Sequence, residues 1–448
     1  MSMSDLPGKH IVLFICDQMQ YMRQGRVDPL ARTPNLDALA DEGVFFDRFY
    51  CSNPQCSPSR MSLQTGLHPH EAGVMVIYGF GGHTGHLGPR HRTIAQVLKE
   101  HGYRTAYFGK SHFGYPLEKL GYEKGIERGG GGSLAVVDEE ITRDATNFLA
   151  SYDATEPLFL VISLHQPHPP FESVEPYIRS FDPEQMPIPP SFADDLTGRP
   201  EFQRKRRESP GGGVTRQQLR LEMTQYYSMI TKVDELFGRV RHALEGRGLW
   251  NDSVIAFTSD HGDMMGGHGL RLKGTFPYEE LFRVPLIIKA PGVAGGARTA
   301  SLGVNVSLPR TLMELAGVEV PDDWPNRSVT DVVLRQAEGP EQVFMEHYGA
   351  YWGWHPFRMI VTRSYKYVYY YGPDEPAEEL YDLQHDPHEE RNLAADTTYE
   401  DLKHRLKAKL ESWWRTTEGR TFTYYESDEF KRIDAATLVD DNELWAFT

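Results

Sequence analysis

Ile11-Val-Leu-Phe-Ile-Cys16, closed by Asp17, is an unbroken apolar run that ends on an acid. A strand with one wet face alternates polar and apolar residues. An unbroken run reads instead as a strand buried on both faces, the condition of a parallel sheet covered by helices. Similar runs recur at Pro157-Leu-Phe-Leu-Val-Ile-Ser163, Ser253-Val-Ile-Ala-Phe-Thr-Ser259 and Val284-Pro-Leu-Ile-Ile-Lys289. Helical stretches lie between them, at Asn35 to Asp41, Thr93 to His101, Asp138 to Tyr152 and Gln217 to Gly246. Alternating buried strands and helices predict an α/β sandwich with a large, mostly parallel central sheet.

Two irregular stretches interrupt this pattern, one Gly-rich at Gly129 to Gly132, the other Pro-rich and basic from Gln166 to about Gly213. Long loops in a compact enzyme often carry function. Arg204-Lys-Arg-Arg207 reads either as solvated surface or as a lure for a polyanionic substrate. From about Gln342 the texture changes to short aromatic segments, Val343 to His347, Phe357 to Thr362 and Lys366 to Tyr371, followed by a helix from about Tyr399 to Thr416. These predict a small antiparallel sheet with a helix, and a division into a catalytic domain, 1–341, and a C-terminal subdomain, 342–448.

A chain of 448 residues, 40% hydrophobic, can bury a large core. Its formal charge of -16 argues against a nucleic-acid partner, so any anion site must be a local concentration of Lys, Arg and His. Cys16, Cys51 and Cys56 are too few for a disulfide framework, which suits a reducing compartment. The first residues lack a signal-peptide pattern and no apolar run is long enough to span a bilayer. The expectation is a cytoplasmic protein without a membrane partner, or a periplasmic or secreted one if a signal peptide has been removed.

Cys56 opens the run Cys56-Ser-Pro-Ser-Arg60. Pro58 is tolerated in a first helical turn, and the unpaired N–H groups there favour an anion beside Cys56. Arg60, one turn on, is expected to aim its guanidinium at the same anion, so the substrate should be an oxyanion such as sulfate or phosphate. Three residues between Cys and Arg are too few for the five-residue cradle of a cysteine phosphatase.

Cys56-Ser-Pro-Ser-Arg-Met-Ser-Leu-Gln-Thr-Gly66 resembles the signature of the formylglycine-dependent sulfatases of the alkaline phosphatase superfamily, with Gln64 in place of the usual apolar residue. Gly102-Tyr-Arg-Thr-Ala-Tyr-Phe-Gly-Lys-Ser-His112 resembles their second signature, and Glu379 to Leu393 their closing segment. The resemblance spans Asp17 to about Leu393. It implies an alkaline-phosphatase-like fold, and oxidation of Cys56 by a maturation enzyme to formylglycine, whose hydrate is the nucleophile.

Asp17 ends one predicted strand and Asp260-His261 another, and open α/β sheets bind ligands at the carboxyl ends of their strands. By the resemblance, Asp17, Gln18, Asp260 and His261 fall on metal-ligand positions. Two carboxylates, an amide and an imidazole suit Ca²⁺ first, with Mg²⁺ and Mn²⁺ as alternatives. Many relatives carry a second acid at Gln18 and Asn at His261. The pairs found here look more like the phosphonate monoester hydrolase and choline sulfatase branch, although Val74 to Gly79 lacks the Asn of that branch.

The resemblance further implies that Arg60, Lys110, Lys273 and the metal offset charge on the sulfate. Asp260 would take the proton of the attacking diol, His168 or Lys273 would protonate the leaving alkoxide, and His112 would deprotonate the second hydroxyl. His165 competes with His168 for its place. The expected activity is hydrolysis of a sulfate monoester, of a carbohydrate by preference, since Tyr348 to His355 offers aromatic rings for a sugar face. The alternatives are a phosphonate monoester or phosphodiester hydrolase on the same scaffold, and a non-catalytic carbohydrate-binding homologue.

Overall fold

The computed structural model describes residues 10–78, 91–153, 155–335, 337–349, 354–372 and 377–417. Its large sheet contains β1 (His10–Cys16), β2 (Val44–Tyr50), β3 (Arg104–Gly109), β4 (Lys124–Glu127), β5 (Leu158–Ser163), β6 (Ser253–Ser259), β7 (Leu286–Lys289) and β8 (Ala297–Val304). The small sheet contains β9 (Gln342–His347), β10 (Phe357–Thr362), β11 (Tyr365–Tyr370) and β12 (Glu378–Asp382). The described helices are α1 (Pro34–Glu42), α2 (Cys56–Thr65), α3 (Pro69–Ala72), α4 (Ile94–Glu100), α5 (Leu134–Ser151), α6 (Glu201–Glu208), α7 (Arg216–Gly246), α8 (Glu279–Phe282), α9 (Leu308–Leu315), α10 (Thr330–Arg335) and α11 (Glu400–Thr416).

The large sheet runs β4-β3-β5-β1-β6-β7-β2-β8. Only β7 is antiparallel to its neighbours. In β1, Ile11, Leu13 and Ile15 enter one core and Val12, Phe14 and Cys16 the other, which is why the run is apolar throughout. The first core is covered by α2, α4, α9 and α10, the second by α1, α5 and α7. A reciprocal cap starts α7: Gln218 N donates to Thr215 Oγ1 at 3.2 Å and Thr215 N to Gln218 Oε1 at 3.1 Å.

The small sheet is an antiparallel meander, β12-β11-β10-β9. Val343, Met345, Phe357 and Met359 join the core that holds Leu13, while Ile360, Tyr367 and Leu380 face Leu406, Leu410 and Trp413 of α11. Among the described residues no helix is long and apolar enough to cross a membrane, and the three cysteines are unbridged.

The run Arg204 to Arg207 lies on α6 and is largely committed internally. Arg204 pairs with Glu201 and Glu208, Arg206 donates to Ser209 and Pro210, and Arg207 to the carbonyls of Asp194 and His268. The Gly-rich stretch is an irregular connection leading into α5. Of the aromatic stretch Tyr348 to His355, residues 350–353 lie outside the described residues.

Candidate active site

Four adjacent strands, β3, β5, β1 and β6, end level with one another: Gly109 pairs with Ser163, Ser163 with Ile15, and Cys16 with Ser259. The residues that follow emerge on one edge of the sheet about 4.8 Å apart per strand. They are Lys110 after β3, His165 and His168 after β5, Asp17 and Gln18 after β1, and Asp260 and His261 after β6. Two antiparallel steps through β7 make β2 parallel to β6, so the chain leaving β2 delivers Cys56, first residue of α2, to the same edge.

Gly109 makes the turn into Lys110 possible. It has φ +114°, and a Cβ there would lie 1.9 Å from the Ser163 carbonyl oxygen. Gln18 and His112 also take left-handed backbone, φ 69° and 53°, a cost that non-glycine residues tend to carry at functional sites.

Cys56 is fully buried. Its Sγ lies 3.0 Å from Lys273 Nζ, 3.2 Å from His261 Nε2 and 3.9 Å from Asp17 Oδ1. His112 is a further group that favours the ionised thiol. Burial opposes ionisation of Cys56, but Lys273, Lys110 and His261 outweigh it and hold the thiol well below its ordinary range.

Arg60, 1% exposed, is the hub of the site. Its Nε donates to Asp260 Oδ2 at 2.8 Å, Nη2 to Asp17 Oδ2 at 3.0 Å, and Nη1 to Ser163 Oγ at 2.7 Å and the Lys110 carbonyl at 3.0 Å. This differs from the expectation that Arg60 aims its guanidinium at the anion. Two buried carboxylates need a fixed cation more than an incoming anion does, and they claim the guanidinium. Lys110 Nζ stands 2.8 Å from Asp17 Oδ2 and Lys273 Nζ 2.7 Å from His168 Nε2, and both ammonium groups favour the Cys56 thiolate.

His168 sits on Lys273, whereas His165 Nε2 donates to the Arg128 carbonyl at 2.8 Å. Of the two rings, His168 is the one beside Lys273. His168 Nδ1 donates to the Pro169 carbonyl at 2.5 Å, which leaves Nε2 to accept from Lys273. Burial, with Lys273 and Lys110 beside it, brings His168 down to about 4, and its ring is neutral at pH 7. Lys273 is raised: burial opposes its charge, but Cys56 and Asp17 favour it more.

Asp17, Cys56, Asp260 and His261 offer ligand atoms all within 4.8 Å of one another. Gln18 Nε2 donates to Asp263 Oδ2 at 2.5 Å and Gln18 Oε1 is buried without a hydrogen-bond partner. A buried amide oxygen left unpaired beside two carboxylates and an imidazole fits a hard divalent cation. His261 Nδ1 donates to the Gly262 carbonyl at 2.9 Å, fixing the ring with Nε2 toward the site.

Sequence reasoning missed Ser163, which supports Arg60, Asp263, which holds Gln18, and Asp138, which accepts from the N–H groups of His165 and Gln166 at 2.8 Å each. Asp138 had a visible signal, an acid among Leu134, Ile141 and Ala145 on the buried face of α5.

The sulfatase family model matches residues 9–318, and the C-terminal model of N-sulphoglucosamine sulphohydrolase matches 266–416. The chain belongs to the sulfatase family and is a sulfuric ester hydrolase. It is 30% identical to an uncharacterized sulfatase, YidJ, of Escherichia coli, over 84% of this chain and 81% of the relative. It is 25% identical to an N-acetylglucosamine-6-O-sulfatase of Bacteroides thetaiotaomicron, over 85% and 82%. A solved structure in complex with its substrate D-glucosamine-2-N,6-O-disulfate superposes with a TM-score of 0.81 at 23% identity, covering 92% of this chain and 98% of that one. The phosphonate monoester hydrolase of Agrobacterium radiobacter gives 0.79 at 24%, covering 91% and 96%. These two likenesses establish the alkaline-phosphatase-like fold.

Proposed function

We propose that the chain hydrolyses a carbohydrate sulfate monoester with a formylglycine derived from Cys56, aided by a divalent cation, Ca²⁺ before Mg²⁺ or Mn²⁺. One observation carries this reading: a fully buried Cys56 at the first position of α2, held between Lys273 Nζ at 3.0 Å and His261 Nε2 at 3.2 Å. The N-acetylglucosamine-6-O-sulfatase and an ulvan-active sulfatase of Formosa agariphila, 28% identical over 91% of this chain and 81% of the relative, support a carbohydrate ester.

Asp17, Gln18, Asp260 and His261 would hold the cation, which supplies positive charge to polarise the sulfate and favour an ionised nucleophile. Hydrated formylglycine would supply one oxygen for attack, its proton passing to Asp260, and a second whose deprotonation expels sulfate and restores the aldehyde. Lys110 and Lys273 offset charge on the sulfate oxygens, while Arg60 holds the carboxylates in place. Lys273 delivers the proton to the departing alkoxide, because His168 is neutral and serves to align it. His112, one of the groups that favour ionisation of Cys56, removes the last proton.

The test is the mass of the peptide containing residue 56 in an active preparation made with a cysteine-oxidising maturase. The loss expected for thiol-to-aldehyde conversion supports the reading, and a persistent thiol in active protein overturns it. The phosphonate hydrolase shares this scaffold, so aryl sulfate and aryl phosphonate esters should be compared on one preparation. A large excess of the phosphonate rate would displace sulfate as the substrate.

A further inference from the structure

Beside the nucleophile opens a cavity of about 460 Å³ lined by Tyr78, Lys110, His112, Tyr115, Glu127 and Arg128, among others. Four of these side chains have no part in the chemistry above, Tyr78 and Glu127 among them. Tyr78 is 38% exposed, although large hydrophobic side chains are rarely exposed among the described residues. Its backbone N–H donates to Ser57 Oγ at 2.9 Å, one residue from Cys56. Its ring lies against Gly114, φ +71°, where a Cβ would come within 2.2 Å of Tyr78 Cδ2. The residue is therefore tied through its backbone to the nucleophile's own helix and its ring lies against a glycine, while part of it stays open to the cavity.

Glu127 ends β4 at the same cavity and accepts from Ser111 Oγ. Among the described residues it has no cation at ion-pair distance. Its neighbour Arg128 is committed elsewhere, to Asp144 at 2.8 Å through Nε and to Glu140 at 2.7 Å through Nη1. The cavity thus presents a carboxylate not offset by a paired cation, next to a wall that carries the sulfate-binding lysine Lys110.

The geometry points to a specificity device: Tyr78 stacks on the apolar face of a sugar ring, and Glu127 accepts a hydrogen bond from a hydroxyl or amine beside the scissile sulfate. A carboxylate can only accept, so it favours a donor and repels a second anion. The substrate class is a sugar carrying a single sulfate at the cleaved residue, with per-sulfated residues disfavoured. This rests on the sulfatase reading of the same site.

The experiment compares kcat/KM of the matured enzyme on monosulfated and disulfated forms of N-acetylhexosamines, with 4-nitrophenyl sulfate as a reporter of the chemistry. Wild type should prefer the monosulfated member, and Glu127→Gln should shift the ratio toward the disulfated one by about tenfold, the effect of one like charge at close range. Tyr78→Ala should raise KM for sugar sulfates about three- to tenfold, with Tyr78→Phe close to wild type, as expected for lost ring stacking. An unchanged ratio in Glu127→Gln, equal KM in Tyr78→Ala, or turnover of 4-nitrophenyl sulfate with none of the sugar sulfates overturns the inference. Failure on every sulfate ester by protein carrying the aldehyde would sink the sulfatase reading itself.

Discussion

Lys273 and His168 share one contact, Nζ to Nε2 at 2.7 Å, in which the lysine must be the donor because the other ring nitrogen is spent on the Pro169 carbonyl. In the proposed mechanism the proton for a leaving group therefore comes from Lys273. Lys273→Met should lower kcat for alkyl sulfates by about 10²–10⁴-fold, the range for a positioned acid. The loss should be smaller for 4-nitrophenyl sulfate, whose leaving group needs no proton. Rates across a series of leaving groups check this, and an equal loss throughout would assign Lys273 to charge neutralisation alone.

Arg60 anchors Asp17 and Asp260 in a dry interior. Arg60→Leu leaves both carboxylates buried without it, at a cost of about 3–5 kcal/mol in urea unfolding. Arg60→Lys should fall in between, since an ammonium restores charge but cannot reach four acceptors in a plane. A leucine variant as stable as wild type would show that Arg60 is not the anchor.

Removal of divalent cations should abolish turnover and lower the unfolding midpoint, both restored by Ca²⁺. At a hundredfold excess over Kd a ligand adds about 2.7 kcal/mol to the folded state. Asp17→Asn and His261→Ala should lose that cation-dependent shift as well as activity. A midpoint indifferent to chelator would remove the cation from the site.

Burial pushes Asp138 up to about 7, against the N–H groups of His165 and Gln166 that favour its charge. Its folded value lies above its unfolded one. The stability it contributes is therefore full below about pH 4 and is lost as pH rises through about 7. Asp138→Asn should flatten that slope, which amounts to about 4 kcal/mol at most. Unfolding free energies of both proteins from pH 4 to 7.5 provide the check, and parallel profiles would mean that Asp138 is ionised throughout.

The strands legible in the sequence were those buried on both faces, β1, β5 and β6, because two-sided burial leaves a continuous apolar run. The same signal at β7 is silent on direction, and β7 is the antiparallel strand of the large sheet. β4 and β8 lie at the sheet edges, where Lys124 and Glu127 or Arg298 and Thr299 dilute the pattern. β2 carries Asp47 and Arg48 at its centre, with Asp47 paired to Arg298 and Arg48 donating to the Arg363 carbonyl.

At the site, motif residues could be named from sequence, but their partners could not. Which carboxylates Arg60 meets depends on β5, β1 and β6 being neighbours, a fact of sheet order. Asp263 lay three residues beyond Asp260, yet only the turn there shows it reaching Gln18.

The strand order also sets a timetable. β1 is made early but lies between β5 and β6, so its second neighbour is absent until Ser253–Ser259 has left the ribosome. Until then Asp260, His261 and Lys273 cannot close over Cys56. In the finished fold Cys56 is fully buried, so its thiol is open to solvent only while those later segments are not yet in place.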